Sequence, residues 1–283
     1  MIIIDFNGIA VGNLVVQKLA VEENLLRHMI LNSIRMYRQK FHKDYGEVVI
    51  VADGKDNWRK EYFPQYKFKR KEGREESPID WDEAFRIINM IREEIKENFP
   101  YHVLQVHGCE ADDAIAHIAL STQEFGKHEQ VMIVSADKDF VQLQKYDNIK
   151  QFSPMTKKFV KSDNPRLTLM EHIFKGDAGD GVPNVMSDDN VFVDGRRQTP
   201  VTKKKMEAWL ASEDMEKTMG ADIYRNFIRN KKLIDLSETP EPVIEKILNM
   251  YESQDPYPNK GKVFPYLVQK RCKLLLENVQ EFL

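Results

Sequence analysis

The chain has 283 residues, a formal net charge of −3 and 42% hydrophobic residues. This length and composition favour one large domain or a core domain with a smaller appendage, and they argue against global disorder. Only two cysteines, Cys109 and Cys272, are present, which excludes a disulfide framework and favours a reduced intracellular compartment. Neither a signal peptide nor a membrane span is evident, so we expect a cytoplasmic protein without membrane contact.

Short apolar runs alternate with longer amphipathic segments through the first half of the chain. The runs that predict buried strands are 2–4, 48–52, 103–106 and 131–134. The segments that carry apolar residues at helical spacing are 14–42, 80–98 and 110–125. This alternation predicts an α/β fold with a mostly parallel central sheet and helices on both faces.

The second half of the chain has a different pattern. A short strand at 149–152 precedes a predicted hairpin or loop at 153–161. From about residue 167 the pattern becomes helical, with a glycine-rich turn at 176–183 and C-terminal helices over 221–282. The polar, irregular stretch 185–202 predicts no regular element.

Acidic residues cluster where a predicted strand ends or a loop turns. The nine residues are Asp5, Asp53, Glu110, Asp112, Asp113, Asp137, Asp139, Asp177 and Asp180. Because ligands bind outside the carboxyl ends of parallel strands, the predicted fold brings several of these carboxylates to one rim. Neighbouring carboxylates repel unless a cation lies between them, and Mg²⁺ prefers oxygen ligands. The pattern therefore predicts a metal-dependent enzyme that acts on phosphates.

Two metal ions about 3.5–4 Å apart can hold the attacking and leaving oxygens of a phosphoryl displacement. The expected ligands of the first ion are Asp5, Asp53, Glu110, Asp112 and Asp137. Those of the second are Asp139, Asp177 and Asp180, with Asp113 as a further member. A single aspartate is more often a helix cap or turn residue, so the spacing of the whole set carries this prediction.

Residues 58–74, WRKEYFPQYKFKRKEGR, interleave cations with aromatic rings. Cations neutralise backbone phosphates and aromatic faces stack on bases, a combination that suits single-stranded nucleic acid. The alternative is a solvated amphipathic helix whose charge is balanced by nearby glutamates. The position of this segment just after Asp53 favours the nucleic-acid interpretation. The lysines at 203–205 could contact the backbone of duplex DNA, although a lysine run is usually an ordinary solvated helix face.

Six motifs stand in a fixed order over residues 1–183: MIIIDFNG, VVIVADG, WRKEYFPQYKFKR, EADDAIA, SADKDFVQL and GDAGDGVP. Together they resemble the 5′-nuclease (flap endonuclease) superfamily. With KQFSPMTKKFVK at 150–161, they resemble most closely its T-even phage branch of ribonuclease H and 5′–3′ exonuclease. The resemblance implies a PIN-like catalytic domain over 1–165 with a flexible helical arch at about 55–79. It also implies a helical DNA-binding domain over 166–283 that contains a helix-three-turn-helix-like module.

The resemblance further implies an activity: hydrolysis from 5′ ends, with ribonuclease H and flap endonuclease action, which removes RNA primers and adjacent DNA during lagging-strand replication. It implies two Mg²⁺ ions, replaceable by Mn²⁺, held by the nine acidic residues. Arg59, Tyr66, Lys67 and Arg70 match arch residues that grip or polarise the scissile phosphate; Tyr66 is expected to stack on the terminal base. A metal-activated water would leave a 5′-phosphate on the product.

The partners implied by the resemblance are DNA with a 5′ flap or 5′ end, RNA–DNA hybrids and a single-strand DNA-binding protein. We expect the enzyme to be a monomer and, if it is phage-encoded, to act in the host-cell cytoplasm. Two departures bear on this. The stretch 184–206 lacks the family's Gly-x-Gly-x-Lys-Thr-type turn, which weakens the expectation of duplex contact there. The chain begins at its first strand, so we do not expect sliding-clamp docking through an N-terminal extension, and the terminal NVQEFL is the remaining candidate segment.

Two other functions fit the acidic pattern. A Mg²⁺-dependent phosphatase also places aspartates at strand ends, but its signature requires a second aspartate where this chain has Asn7, and a phosphorelay receiver would be far shorter. A non-catalytic protein that recognises branched DNA would be expected to lack some of the metal-binding acids. All nine are present here.

Overall fold

The computed structural model describes residues 1–16 and 21–283, and its centre is one six-stranded sheet. The strands are β1 (Ile2–Asp5), β2 (Val48–Ala52), β3 (His102–Gln105), β4 (Val131–Val134), β5 (Ile149–Ser153) and β6 (Lys158–Val160). Their order is β3-β2-β1-β4-β5-β6, and only β6 pairs in the antiparallel direction. The mostly parallel sheet and the hairpin after residue 153 are therefore confirmed.

Thirteen α-helices are present in the described part of the chain. They are α1 (Phe6–Val16), α2 (Glu23–Tyr45), α3 (Trp58–Tyr62), α4 (Lys69–Glu75), α5 (Trp81–Asn98), α6 (Ala111–Ser121), α7 (Pro165–Lys175), α8 (Lys203–Leu210), α9 (Met215–Met219), α10 (Ala221–Ile234), α11 (Glu241–Glu252), α12 (Val263–Gln269) and α13 (Lys273–Leu276). None of the helices within 1–16 and 21–283 is long and apolar enough to cross a membrane.

The predicted helix over 14–42 differs from the structure. A first helix begins at Phe6, directly after β1, and a second runs from Glu23 to Tyr45. Phe6, Ala10 and Leu14 are buried at helical spacing, which explains why the chain turns into a helix as soon as the strand ends. The part of the prediction that falls on residues 17–20 lies outside the described residues.

Alternating side chains of the strands build two separate cores. Ile2 and Ile4 of β1 face one core, where α1, α2 and α5 pack, and Ile3 faces the other, where α6 and α11 pack. Helices therefore cover both faces, as predicted. Residues of α12 and α13 complete the first core, so the C-terminal part of the chain packs directly on the N-terminal sheet.

A third apolar cluster joins the arch segment (residues 55–79) to the helical region. Phe63 and Tyr66 of the arch segment pack with residues of α7, α8 and α10 such as Phe174, Trp209 and Phe227. The arch segment therefore consists of the short helices α3 and α4 anchored by its own aromatic side chains, and it is held against the second half of the chain.

The irregular stretch 185–202 is fixed by polar side chains of α10. Asn226 Nδ2 donates to the carbonyls of Val185 (3.0 Å) and Ser187 (3.2 Å). Asn230 Nδ2 donates to Pro183 O at 2.8 Å. These bonds satisfy backbone groups that a helix or strand would otherwise pair. They could not be predicted from the spacing of apolar residues.

The C-terminal segment NVQEFL is built into the fold. Phe282 is fully buried, with its ring centroid 5.4 Å from that of Phe99. Gln39 of α2 donates to Glu281 at 2.8 Å, and Arg35 forms an ion pair with the same carboxylate. The segment is therefore not an exposed tail available to a sliding clamp.

Candidate metal centre and nucleic-acid cleft

Four separate segments converge at the carboxyl edge of the sheet. Asp5 is the last residue of β1, Asp53 follows β2, Asp137 follows β4, and Asp112 lies in the first turn of α6. All four line one cavity of about 300 Å³. The parallel topology therefore brings these carboxylates to one rim, as the strand positions predict.

Asp5 is held by two hydrogen bonds at the start of α1. Its Oδ1 accepts from the Gly8 amide (2.8 Å), and its Oδ2 accepts from Ser135 Oγ (2.9 Å). A Cβ atom at residue 8 would lie only 2.5 Å from Asp5 Oδ2, so the close approach of this helix requires glycine. Burial raises the pKa of Asp5 despite both bonds.

Asp53 links the start of α1 to the start of α6. Its Oδ2 accepts from Asn7 Nδ2 and its Oδ1 from the Ala111 amide, both at 3.0 Å. Ala111 is the first residue of α6, so the carboxylate lies at the positive end of a helix dipole. Asn7, which distinguishes this chain from the phosphatase signature, is therefore a positioning residue for Asp53.

Asp112 and Asp137 form the most strongly self-repelling part of the cavity. Burial, followed by the charge of Asp137, raises the pKa of Asp112 well above its usual range. Burial and the neighbouring Asp139 raise the pKa of Asp137 to about 6. Such carboxylates are stabilised by a cation between them, and oxygen ligands suit a hard divalent ion.

Asp113 has a different environment from its neighbour Asp112. It is fully buried, and its two oxygens accept from Arg59 Nη1 (2.7 Å) and Nη2 (2.8 Å), Thr239 Oγ1 (2.8 Å), the Glu110 amide (3.1 Å) and Trp58 Nε1 (3.3 Å). A carboxylate has about four lone-pair positions, so this one is saturated. The structure thus places Asp113 beside the cavity and not among the carboxylates that line it.

Arg59 is also occupied away from the cavity. Its side chain is 2% exposed, and its Nε donates to Leu233 O at 2.8 Å while its other nitrogens bind Asp113. We expected this guanidinium to grip the scissile phosphate. In the structure it instead joins α3 to α6 and α10.

Tyr66 and Lys67 bring the arch segment down onto two further carboxylates. The Tyr66 hydroxyl lies 2.8 Å from Glu110 Oε2 and 3.2 Å from Asp180 Oδ2. Lys67 Nζ forms ion pairs with the same two residues, and its amide donates to Asp180 O at 2.7 Å. Burial alone would raise the pKa of Glu110, but Lys67 and Arg59 hold it below its usual value.

The contact between the arch segment and the glycine-rich turn depends on Gly181. Its φ is +73°, and a Cβ atom there would lie 2.9 Å from Gln65 O. The half-exposed Arg70 closes the same contact, since its Nη2 donates to Asp180 Oδ1 at 2.7 Å. Lys67 and Arg70 both line the acidic cavity, so two of the four predicted arch residues face it.

A second cluster lies at the start of the helical region. His172 Nδ1 is 3.1 Å from Asp139 Oδ1, and His172 Nε2 is 3.2 Å from Asp177 Oδ2. The ligand atoms of these three residues all lie within 4.8 Å of one another. Burial would lower the pKa of His172, but the two aspartates raise it to about 9. Lys138 Nζ, 3.0 Å from Asp177, adds a second cation.

His172, Asn7 and Ser135 contact the predicted carboxylates but were not predicted as site residues. His172 lies in the last turn of α7, and only the fold brings it beside Asp139. Asn7 and Ser135 stand next to predicted aspartates, so their proximity in the chain was a usable signal. A lone histidine before a glycine-rich turn carries no comparable signal.

An acidic cavity bordered by lysine and arginine side chains suits phosphodiester hydrolysis, and the chain is a nuclease by its family. It belongs to the 5′–3′ exonuclease family. The model of the 5′–3′ exonuclease N-terminal, resolvase-like domain matches residues 7–170, and that of the T4 RNase H C-terminal domain matches residues 163–282.

Similar proteins agree with this family. The chain is 32% identical to the ribonuclease H of Enterobacteria phage T4, over 99% of this chain and 95% of that protein. A bacteriophage T5 flap endonuclease, in a structure with DNA and metal ions, superposes with a TM-score of 0.60 at 20% identity, covering 89% of this chain and 99% of that one. A zinc-bound T5 5′-exonuclease gives 0.62 at 19% identity, covering 89% and 98%. The two structures show that the fold is shared.

Proposed function

We propose that this chain is a Mg²⁺-dependent 5′–3′ exonuclease and flap endonuclease with ribonuclease H activity. It would remove RNA primers and adjacent DNA from 5′ ends during lagging-strand replication. The observation that carries the proposal is the acidic cavity with Lys67 and Arg70 at its wall, in a chain related over its whole length to a phage ribonuclease H.

The donor set fits two divalent ions. The first would be held by Asp5, Asp53, Glu110, Asp112 and Asp137, and the second by Asp139, Asp177 and Asp180 with His172 beside them. Asp139, His172 and Asp177 bring their ligand atoms within 4.8 Å of one another, close enough to share one ion. The raised pKa values of Asp112 and Asp137 are those of crowded carboxylates that a bound cation would stabilise. Bound Mg²⁺, or Mn²⁺ in its place, would neutralise phosphate charge and lower the pKa of a water.

The cationic side chains would then orient the substrate. Lys67 and Arg70, which pair with Glu110 and Asp180 in the structure, would bind a phosphodiester that enters the cavity. Arg59 would act indirectly, by fixing the base of the arch segment through Asp113. Tyr66, whose hydroxyl is engaged by Glu110 and Asp180, would orient those carboxylates.

Other features of the proposal concern organisation and partners. We retain 1–165 as the catalytic part and 166–283 as the DNA-binding part, although α11–α13 pack on the sheet. We propose a monomer that acts in the cytoplasm of a phage-infected host on 5′-flap DNA and RNA–DNA hybrids. A single-strand DNA-binding protein is the proposed accessory partner; a sliding clamp would need a surface other than the packed C-terminal segment.

The test uses a 5′-flap DNA and an RNA–DNA hybrid, each labelled in separate preparations at either end of the cleaved strand. Products would be followed with Mg²⁺, with Mn²⁺ and with EDTA. Metal-dependent products that shorten from the 5′ end support the proposal and show whether short oligomers or intact flaps are released. Binding without cleavage in either metal would instead indicate a protein that recognises branched DNA without cutting it.

A further inference from the structure

The acidic cavity has an aromatic wall that the proposed mechanism does not use. Besides its carboxylates, the cavity is lined by Trp81 and Phe85. These residues stand four positions apart at the start of α5, so both side chains lie on the same face of that helix. Their ring centroids are 5.7 Å apart with an interplanar angle of 31°. The wall is therefore a pair of tilted rings at the side of the metal centre.

Trp81 leaves a hydrogen-bond donor unused. Its Nε1 atom is buried and has no hydrogen-bond partner among the described residues. A buried indole N–H usually finds an acceptor, and an unpaired one costs free energy. Because this atom is buried, the part of Trp81 that borders the cavity is the ring itself.

Cations complete the wall. The Arg74 guanidinium lies 4.8 Å from the Phe85 ring centroid, and Arg74, Arg70 and Lys67 all line the same cavity. Aromatic faces beside phosphate-binding cations form the usual surface for single-stranded nucleic acid. The chemistry of this wall therefore matches an unpaired nucleotide, with its base on the rings and its phosphate near the cations.

We propose that Trp81 and Phe85 form a stacking platform for the unpaired nucleobase that adjoins the cleaved phosphodiester. This inference rests on the proposed nuclease function and deepens it. Stacking tolerates every base, so the platform fixes the position of the strand without selecting its sequence. The Tyr66 ring, which we expected to stack on the terminal base, is only 5% exposed and packs in the third apolar cluster.

The test is a double-mutant cycle in which substitutions in the protein are combined with removal of single bases from the DNA. Affinities for 5′-flap DNA are measured by fluorescence anisotropy in EDTA, with an abasic tetrahydrofuran residue placed in turn at each nucleotide that flanks the cleavage junction. Removing the stacked base should weaken binding of the wild-type protein by between about fivefold and 150-fold at one position. Trp81→Leu should weaken binding to intact DNA similarly and should abolish the effect of the abasic residue at that position.

Control variants separate the platform from general effects. Tyr257→Leu removes an aromatic ring that is 71% exposed and lies outside the cavity, and it should leave the abasic effect intact. If thermal melting shows that Trp81→Leu is poorly folded, Trp81→Phe and Phe85→Leu replace it. Trp81→Phe should keep most of the stacking, whereas Phe85→Leu should reduce the abasic effect.

The outcome separates the platform from the nuclease proposal. Additive effects of the Trp81 or Phe85 substitutions and the abasic residue, with cleavage by the wild-type protein intact, would overturn the platform alone. Failure of the wild-type protein to bind or cleave the flap would instead remove the proposed function on which the platform rests.

Discussion

Arg59 donates two parallel hydrogen bonds to Asp113, of 2.7 and 2.8 Å, between the arch segment and α6. Asp113 is the neighbour of Asp112 in the chain. The Asp113 carboxylate is saturated by protein donors, whereas the Asp112 carboxylate lines the acidic cavity. Two adjacent aspartates of the EADD motif therefore face different environments. Their first-turn positions on α6 differ by about 100° in direction, which explains the division.

The first prediction concerns the structural member of this pair. Asp113→Ala leaves the Arg59 guanidinium buried without its counter-charge, so we expect a loss of about 3–5 kcal/mol in the free energy of unfolding. Urea unfolding measures this change, and Mn²⁺ titration of the folded variant should show nearly unchanged affinity. A stable variant that has lost Mn²⁺ binding would instead make Asp113 a metal ligand.

The second prediction concerns the neighbouring carboxylate. Asp112→Asn should abolish turnover and weaken Mn²⁺ binding, while flap-DNA affinity stays measurable and stability is kept or increased. The increase is expected because the substitution removes a buried charge that repels Asp137. Calorimetric metal titration, thermal melting and a cleavage assay measure the three quantities. Full activity would contradict the metal-site assignment.

The third prediction concerns charge on the scissile phosphate. Lys67→Ala should lower kcat by about 100-fold to 1,000-fold, the usual effect of losing one donor to developing charge, and weaken DNA binding much less. Single-turnover cleavage and anisotropy binding separate the two effects. Lys246→Ala, an exposed lysine on α11, is the matched control and should change neither. A defect confined to binding would contradict the assigned role.

The parallel sheet and the meeting of Asp5, Asp53 and Asp137 at its edge could be predicted, because strand periodicity and strand ends are local properties of the sequence. The environment of Asp113 could not, because its donors Arg59 and Thr239 are 54 and 126 residues away in the chain. His172 was missed for the same reason. Nor did periodicity predict that the arch segment would dock through Phe63 and Tyr66, since the partners of these rings belong to the second half of the chain.

The fourth prediction concerns His172. Its ring lies within 3.2 Å of both Asp139 and Asp177, so it orients the carboxylates of the proposed second metal position. His172→Asn should weaken the lower-affinity Mn²⁺ site by about tenfold to 100-fold, the range for residues that orient metal ligands. His107→Asn, which alters a side chain that is 74% exposed, is the control. Unchanged affinity at both Mn²⁺ sites would show that His172 has no part in metal binding.

The fifth prediction concerns stability against pH at a site far from the metal centre. Glu94 of α5 accepts from Arg27 Nε of α2 (2.8 Å) and from the Tyr266 hydroxyl of α12 (2.8 Å), and it forms an ion pair with Lys270. These contacts join the three helices. Burial would raise the pKa of Glu94, but these partners hold it below its ordinary value of 4.5. A carboxyl whose pKa is lower in the folded state stabilises the fold above its ordinary pKa, and this contribution is lost as the pH falls through the folded value.

Glu94→Gln should therefore reduce the free energy of unfolding at pH 7 by about 1.5–3 kcal/mol, because Arg27 loses one charged hydrogen-bond partner and keeps Glu23 as its other carboxylate. The difference from wild type should shrink progressively below the ordinary value of 4.5, where wild-type Glu94 also becomes neutral. Urea unfolding of both proteins across this range measures the change. Glu83→Gln, at an exposed ion pair on the same helix, is the control and should change stability far less at every pH. A Glu94 effect that is constant with pH would show that the carboxylate charge contributes nothing, and that only the shape of the side chain matters.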